Sequence, residues 1–213
     1  TAANTSALTI DFSALDAGED MTIGLGDPEV DGVTTIITGG GDDAITMGDG
    51  ADIVQLAFGG QGVDTLTTFV GGTHVIDFTG TSDVVDAAGG DLDLDGFLVQ
   101  DAAASHVLVD GLTVFGSDNQ IAALDAGATL TAAEIATFFA DVSTAVGTNQ
   151  TVTVATATDV AYVLVQGAAG AATLAKVTGG LNTVIDTADV TLIAHFAALD
   201  TDTVTAANFS DFA

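Results

Sequence analysis

The sequence has no cysteine, no tryptophan, a single proline (Pro28) and a single basic residue, Lys176. Without cysteine no disulfide framework can form. With one lysine and no arginine the chain has almost nothing with which to grip phosphates, so nucleic acid and anionic membrane surfaces are poor partners. The residues of exposed helices are also scarce, since glutamate occurs only at Glu19, Glu29 and Glu134. No run approaches the roughly 18 uninterrupted apolar residues of a membrane-spanning helix. No basic segment followed by an apolar one opens the chain, so no secretory signal peptide is expected. A sequence starting at Thr1 reads as a processed form or as a piece of something longer.

What is present is acidic and apolar at once. The 213 residues suffice for one or two domains with a sizeable core. Thirty acidic residues give a net charge of −29, yet 48% of the chain is hydrophobic and it contains 26 glycines. That apolar fraction, with a mean hydropathy of +0.53, excludes a disordered acidic tail. Of the acids, 27 are aspartate. Charge alone does not distinguish Asp from Glu, but the shorter side chain suits turns, where it bonds nearby backbone or reaches a metal ion. Two readings follow: a salt-adapted acidic surface, or aspartates in cation-binding turns. The second is the sharper.

Residues 1–96 hold 18 of the 26 glycines and 16 of the 27 aspartates, which places a boundary near Gly96–Asp101. The first region is repetitive. Gly39-Gly40-Gly41-Asp42-Asp43-Ala44-Ile45 is followed nine residues on by Gly48-Asp49-Gly50-Ala51-Asp52-Ile53-Val54. Nine residues back, Gly32 and Ile36 keep phase while Thr34 replaces the aspartate; further on, Gly62-Val63-Asp64-Thr65-Leu66 restores the pattern after an insertion. Glycines supply the positive φ of a tight turn, the aspartate ends the turn, and a short strand points one apolar residue inward. One such strand cannot bury its face alone, but a stack can. Further rungs are expected at Leu8-Thr9-Ile10-Asp11-Phe12, Met21-Thr22-Ile23, His74-Val75-Ile76-Asp77-Phe78 and Val84-Val85.

Beyond residue 96 the texture is Ala, Thr and Val. Strands are predicted at His106–Val109, Leu112–Phe115, Thr151–Ala155, Ala161–Val165 and Val190–Ala194. Thr131-Ala132-Ala133-Glu134 is a capping box that opens a helix through about Ala140. Ala122-Ala123-Leu124-Asp125 before Thr131-Ala132-Ala133 is echoed by Ala197-Ala198-Leu199-Asp200 before Thr205-Ala206-Ala207, which suggests two related β-plus-helix units. The fold class is therefore mainly β: a parallel β-solenoid or β-roll over 1–96, then a β-rich region over 97–213 with one or two short helices.

The nine-residue pattern Gly41-x-Asp43-x-Ile45 and Gly50-x-Asp52-x-Val54 resembles the RTX (repeat-in-toxin) nonapeptide of calcium-binding β-rolls. The segment Asp64–Gly80 is similar to the closing part of such rolls. The terminus Asn208-Phe209-Ser210-Asp211-Phe212-Ala213 resembles the uncleaved C-terminal signal of type I secretion. The resemblance implies Ca2+ in the turns on either edge, held by aspartates and turn carbonyls. On this chain the donors would be Asp43, Asp52 and Asp64 with Gly39, Gly41, Gly48 and Gly50, assisted by Asp42 and Asp49. Asp43 and Asp64 would share one edge. Asp52 would lie on the other, opposite Thr34, where the missing carboxylate weakens the site. Calcium suits hard oxygen donors with no His or Cys cluster.

A second candidate is Asp91-Leu92-Asp93-Leu94-Asp95-Gly96, which matches the opening of an EF-hand-like loop through Asp91, Asp93 and Asp95, although its twelfth position is Ala102. The same residues also read as a strand with its leucines inward. His74, His106 and His195 lack metal-ligand spacing, and adjacency of Ser105 and His106 does not make a catalytic pair. No nucleophile, base and oxyanion set stands out, so no enzyme is expected. Two functions fit. One is a secreted, calcium-stabilised structural protein that self-associates at the cell surface as an S-layer, filament or matrix subunit, in the character of RTX-type surface-layer proteins. The other is the calcium-folding and type I secretion module of a larger enzyme, toxin or adhesin.

Overall fold

Short β-branched segments between glycine- and aspartate-rich turns favour strands over helices in the first part of the chain. A computed structural model of the chain describes residues 7–25, 32–57, 62–78, 98–100, 106–108, 111–115, 129–145, 152–154, 160–167, 170–178, 185–199 and 201–210. Strands β1 (Leu8–Asp11), β3 (Thr34–Ile37), β5 (Ile53–Gln55) and β7 (Val75–Asp77) pair in parallel in one sheet. Strands β2 (Thr22–Gly24), β4 (Ala44–Thr46) and β6 (Asp64–Thr67) pair in parallel in another. Successive strands thus alternate between the sheets. Ile10, Ile36, Val54 and Ile76 are partners in the first sheet; Ile23, Ile45 and Leu66 are partners in the second. One nine-residue step carries Ile36 to Ile45 and changes sheet. Two steps carry it to its neighbour Val54.

Most of the later strands join the same two sheets. After β8 (Leu98–Gln100), β9 (His106–Leu108) and β10 (Gly111–Phe115) come helix α1 (Ala132–Ala145), β11 (Val152–Val154), β12 (Val160–Gln166), β13 (Ala172–Thr178), β14 (Val190–Phe196) and β15 (Phe209–Ser210). Strand β15 extends the first sheet beside β7, and β14 extends the second beside β6, in parallel. The second sheet then runs β14-β13-β12-β10-β8, with β12–β13 and β13–β14 antiparallel. Strands β9 and β11 pair separately. The strands expected at 106–109, 112–115, 151–155, 161–165 and 190–194 are present, shifted by a residue or two at their ends.

The period of two along β12 and β13 divides the core. Tyr162, Leu164 and Leu174 face the first sheet and join Ile36, Ile45, Leu66, Ile76, Phe78 and Phe196. Ala161, Val163, Val165, Ala175 and Val177 face the other way and are covered by Leu130, Ile135 and Phe139 at and within α1. The chain is a mainly β structure of two mostly parallel sheets with one helix on the outer face. The capping box forms: Thr131 N–H donates to Glu134 Oε2 (2.7 Å) and Glu134 N–H to Thr131 Oγ1 (3.3 Å). The helix runs to Ala145, past the expected end near Ala140, because no Gly or Pro interrupts the sequence before Gly147. The echo at Thr205-Ala206-Ala207 forms only a 3-10 turn over Ala206–Asn208. Val84-Val85, the 91–96 motif and the last three residues lie outside the described residues. Among the described residues no helix is long and apolar enough to cross a membrane.

Candidate metal centre

The residue just before or at the start of each strand sits where chain leaves turn and enters sheet, so parallel pairing stacks these residues in columns. One residue before the paired Thr22, Ala44 and Thr65 stand Met21, Asp43 and Asp64. One residue before the paired Thr35, Ile53 and Val75 stand Thr34, Asp52 and His74. The structure brings Asp43 and Asp64 together in one column and puts Asp52 beside Thr34 in the other. Four of these six side chains are buried: Asp43 is 1% exposed, Asp52 3%, Asp64 4% and His74 1%.

In the first column each inner carboxylate reaches back one rung. Asp43 Oδ1 accepts from Met21 N–H (2.9 Å), and Asp64 Oδ1 accepts from Asp43 N–H (3.1 Å). A second, outer line reaches the opposite way. Asp20 Oδ1 accepts from Asp42 N–H (3.0 Å), and Asp42 Oδ1 accepts from Val63 N–H (2.8 Å). Four aspartates thus lie on three successive rungs of one edge. The other oxygen of Asp43, Oδ2, is buried and accepts no hydrogen bond of good geometry. Burial and the nearby charges of Asp20 and Asp42 hold the Asp43 carboxyl above the usual carboxylate range, opposed by the N–H groups of Met21 and Gly39. Burial pushes Asp64 further, to about 7, and the Asp43 charge adds to the rise; the Asp43 N–H and the Thr38 hydroxyl oppose it. The only basic side chain in the chain, Lys176, lies on β13.

The turns can stack this closely because glycine removes the side chain. Gly41 has φ +104°, and a Cβ there would stand 2.8 Å from Glu19 O. A Cβ on Gly62 would land on Gly41 O.

The second column is chemically different. Asp52 Oδ1 accepts from Thr34 N–H (3.1 Å) and Oδ2 from Gly48 N–H (3.3 Å), so both oxygens are engaged. His74 Nδ1 accepts from Val70 N–H (2.9 Å), which puts the hydrogen on Nε2, 3.1 Å from Gly48 O. The ring stacks edge-on to Phe69, with centroids 5.4 Å apart. Asn208 Nδ2 donates to His74 O (2.7 Å) and so ties this column to the C-terminal strand.

Gly39 and Gly41 are buried in the first edge, Gly48 and Gly50 are partly exposed in the second, and Asp42 and Asp49 face solvent. Asp91, Asp93 and Asp95 lie outside the described residues. Among the described residues no group of three or more His, Asp or Glu side chains is placed to hold a metal ion. Any cation at Asp43 and Asp64 would have to complete its shell with backbone carbonyls and water, which calcium accepts. The orphaned Asp43 Oδ2 beside a second buried carboxylate fits such a hard cation.

Sequence reasoning missed Asp20, Thr38 and His74. Asp20 is 22 residues from its partner Asp42, outside the nine-residue period, and only the single Gly18 precedes it in its turn. Thr38 acts through its hydroxyl on Asp64 and Ala57 N–H, and His74 acts on the backbone of Gly48 and Val70; such partners are distant in sequence or are backbone atoms, and leave no local signature. His195, on β14, shares a hydrogen bond with Thr173 Oγ1 (3.1 Å); burial lowers its pKa and Asp42 opposes that shift. No family model, curated protein or solved structure matches the chain.

Proposed function

We propose that the chain is a calcium-dependent structural protein, secreted and self-associating at the cell surface as an S-layer, filament or matrix subunit. In this reading the alternating parallel strands are the rungs of an RTX-like β-roll, and a divalent ion at the Asp43–Asp64 edge completes the fold. One observation carries the reading: two buried carboxylates on adjacent rungs, one with an oxygen that accepts no hydrogen bond of good geometry. Burying a carboxylate without a compensating partner is costly, and one calcium ion would offset both charges. Asp43 and Asp64 would supply carboxylate oxygens, the 39–41 turn would supply carbonyls on the same edge, and Asp42 would attract the ion from solvent.

Secretion suits the same chemistry. A chain destabilised at low cytosolic calcium stays export-competent and folds in high external calcium. Self-association is supported by composition, since small apolar residues, threonine-rich strands and a near absence of Lys leave strand edges poorly blocked. Electron microscopy of the purified chain in millimolar calcium and in chelator tests the reading. Ordered assemblies in calcium that dissolve on chelation are expected. Monomers in both conditions would overturn it.

A further inference from the structure

The two columns hold equivalent positions, and the fourth side chain differs. His74 stands to Asp52 as Asp64 stands to Asp43: one rung further along the same sheet, one residue before the paired Val75 and Thr65. Asp43 N–H is bonded by the Asp64 carboxylate. At the matching place an imidazole is wedged between rungs, its Nε2–H aimed at Gly48 O. Gly48 is four residues before Asp52, as Gly39 is four before Asp43. A carbonyl at this point of the turn is what a cation between the rungs would use. Here a proton donor already occupies it, and the Gly48 N–H engages the second oxygen of Asp52.

The consequence is a difference in satisfaction. On the Asp52 edge both carboxylate oxygens, both ring nitrogens and the Gly48 carbonyl have protein partners. On the Asp43 edge the matching Gly39 N–H lowers the carboxyl's pKa, but Oδ2 accepts no hydrogen bond of good geometry. A divalent ion at Asp52 would have to expel a buried ring that packs on Phe69, and would leave Val70 N–H without its acceptor. An ion at Asp43 displaces no such group.

We infer that His74 takes the place of a cation on the Asp52 edge, so that the described part of the chain binds its divalent ion on the Asp43–Asp64 edge alone. This rests on the cation reading proposed above and adds to it which edge is metal-dependent and what closes the other. The imidazole acts as a neutral plug: it gives the turn carbonyl a donor and the turn N–H an acceptor without adding charge to an edge that has one buried carboxylate. Asn208, holding the His74 carbonyl and the Gly72 N–H (3.1 Å), fixes the ring's backbone in place.

Native mass spectrometry of the full chain in calcium counts ions directly. Wild type is expected to hold an ion that Asp43→Asn loses and Asp52→Asn retains. His74→Asp, which places a second carboxylate over Asp52, is expected to bind one ion more than wild type. Loss of an ion in Asp52→Asn, or no gain in a folded His74→Asp, would overturn the inference. Should His74→Asp fail to fold, nitrogen NMR of the wild-type imidazole decides with the Asp52→Asn count. The Nε2–H tautomer is expected to persist when calcium is added, and a change of tautomer or loss of the Val70 bond would contradict the plug. A wild type that binds no calcium at all would remove the cation reading, and the inference with it.

Discussion

Asp43 carries the tension in the structure. Its Oδ1 is bonded to Met21 N–H, its Oδ2 is buried without a hydrogen bond of good geometry, and Asp64 lies on the next rung. Asparagine keeps the Oδ1 acceptor and removes the charge. Without divalent ions Asp43→Asn should therefore stabilise the fold by about 1–2 kcal/mol, the scale of an unmet buried polar group. In calcium it should destabilise, because a ligand is lost. Urea denaturation in chelator and in calcium reads both signs; destabilisation in both media would contradict the account. The pH dependence follows from Asp64. Its folded pKa of about 7 lies above the ordinary 3.8, so between these values the folded chain binds the extra proton. Stability in chelator should therefore rise as pH falls from about 8 to 5 and should level off near the unfolded value, on the linkage argument. A thermal midpoint that falls on mild acidification would sink this assignment. The raised Asp43 carboxyl acts in the same direction.

At the scale of elements, turn-on-turn contact sets the rung spacing. Gly62 packs against the Gly41 carbonyl with no room for a methyl group. Gly62→Ala should cost about 2 kcal/mol or more, the range of overpacking with backbone displacement. A melt indistinguishable from wild type would show that the turns are looser than described. Much of this edge was legible in the sequence. The recurrence of glycine, aspartate and one apolar residue marks Ile36, Ile45 and Val54 as inward-facing, and all are fully buried. The resemblance to the RTX nonapeptide also implies Asp43 with Asp64 on one edge and Asp52 opposite Thr34 on the other. The capping box at Thr131 and Glu134 marked α1 for the same reason, since a local motif has local chemistry. Strand β13 was not legible. Ala172, Ala175 and Lys176 have weak β-propensity, and its two buried faces leave no polar alternation to read. The docking of β14 and β15 onto β6 and β7 was also hidden, because it joins residues 130 or more positions apart through backbone bonds and Asn208. His74 looked isolated because its partners are the backbone atoms of Gly48 and Val70.

For the whole molecule the net charge of −29 opposes compaction, and the apolar core between the sheets opposes that repulsion. Assembly adds a further like-charge contact that calcium would offset. Strand β1 ends its sheet and Leu8 is half-exposed, so β1 is the edge through which a second copy would extend the sheet in parallel. Deleting residues 1–12 should abolish calcium-dependent oligomers in light scattering while leaving the monomer folded. Oligomers that survive the deletion would place the contact elsewhere. A chain that stays monomeric at high concentration in calcium would favour the secretion-module reading.

The central claim is that a divalent ion on the Asp43–Asp64 edge supplies part of the folding free energy. Its most direct test is the thermal midpoint of the full chain in chelator and in calcium at matched ionic strength. With calcium a hundredfold above its Kd, one ion contributes about 2.7 kcal/mol. For a chain of this size that corresponds to a rise of about 5–10 °C. A midpoint unchanged by calcium would contradict the account.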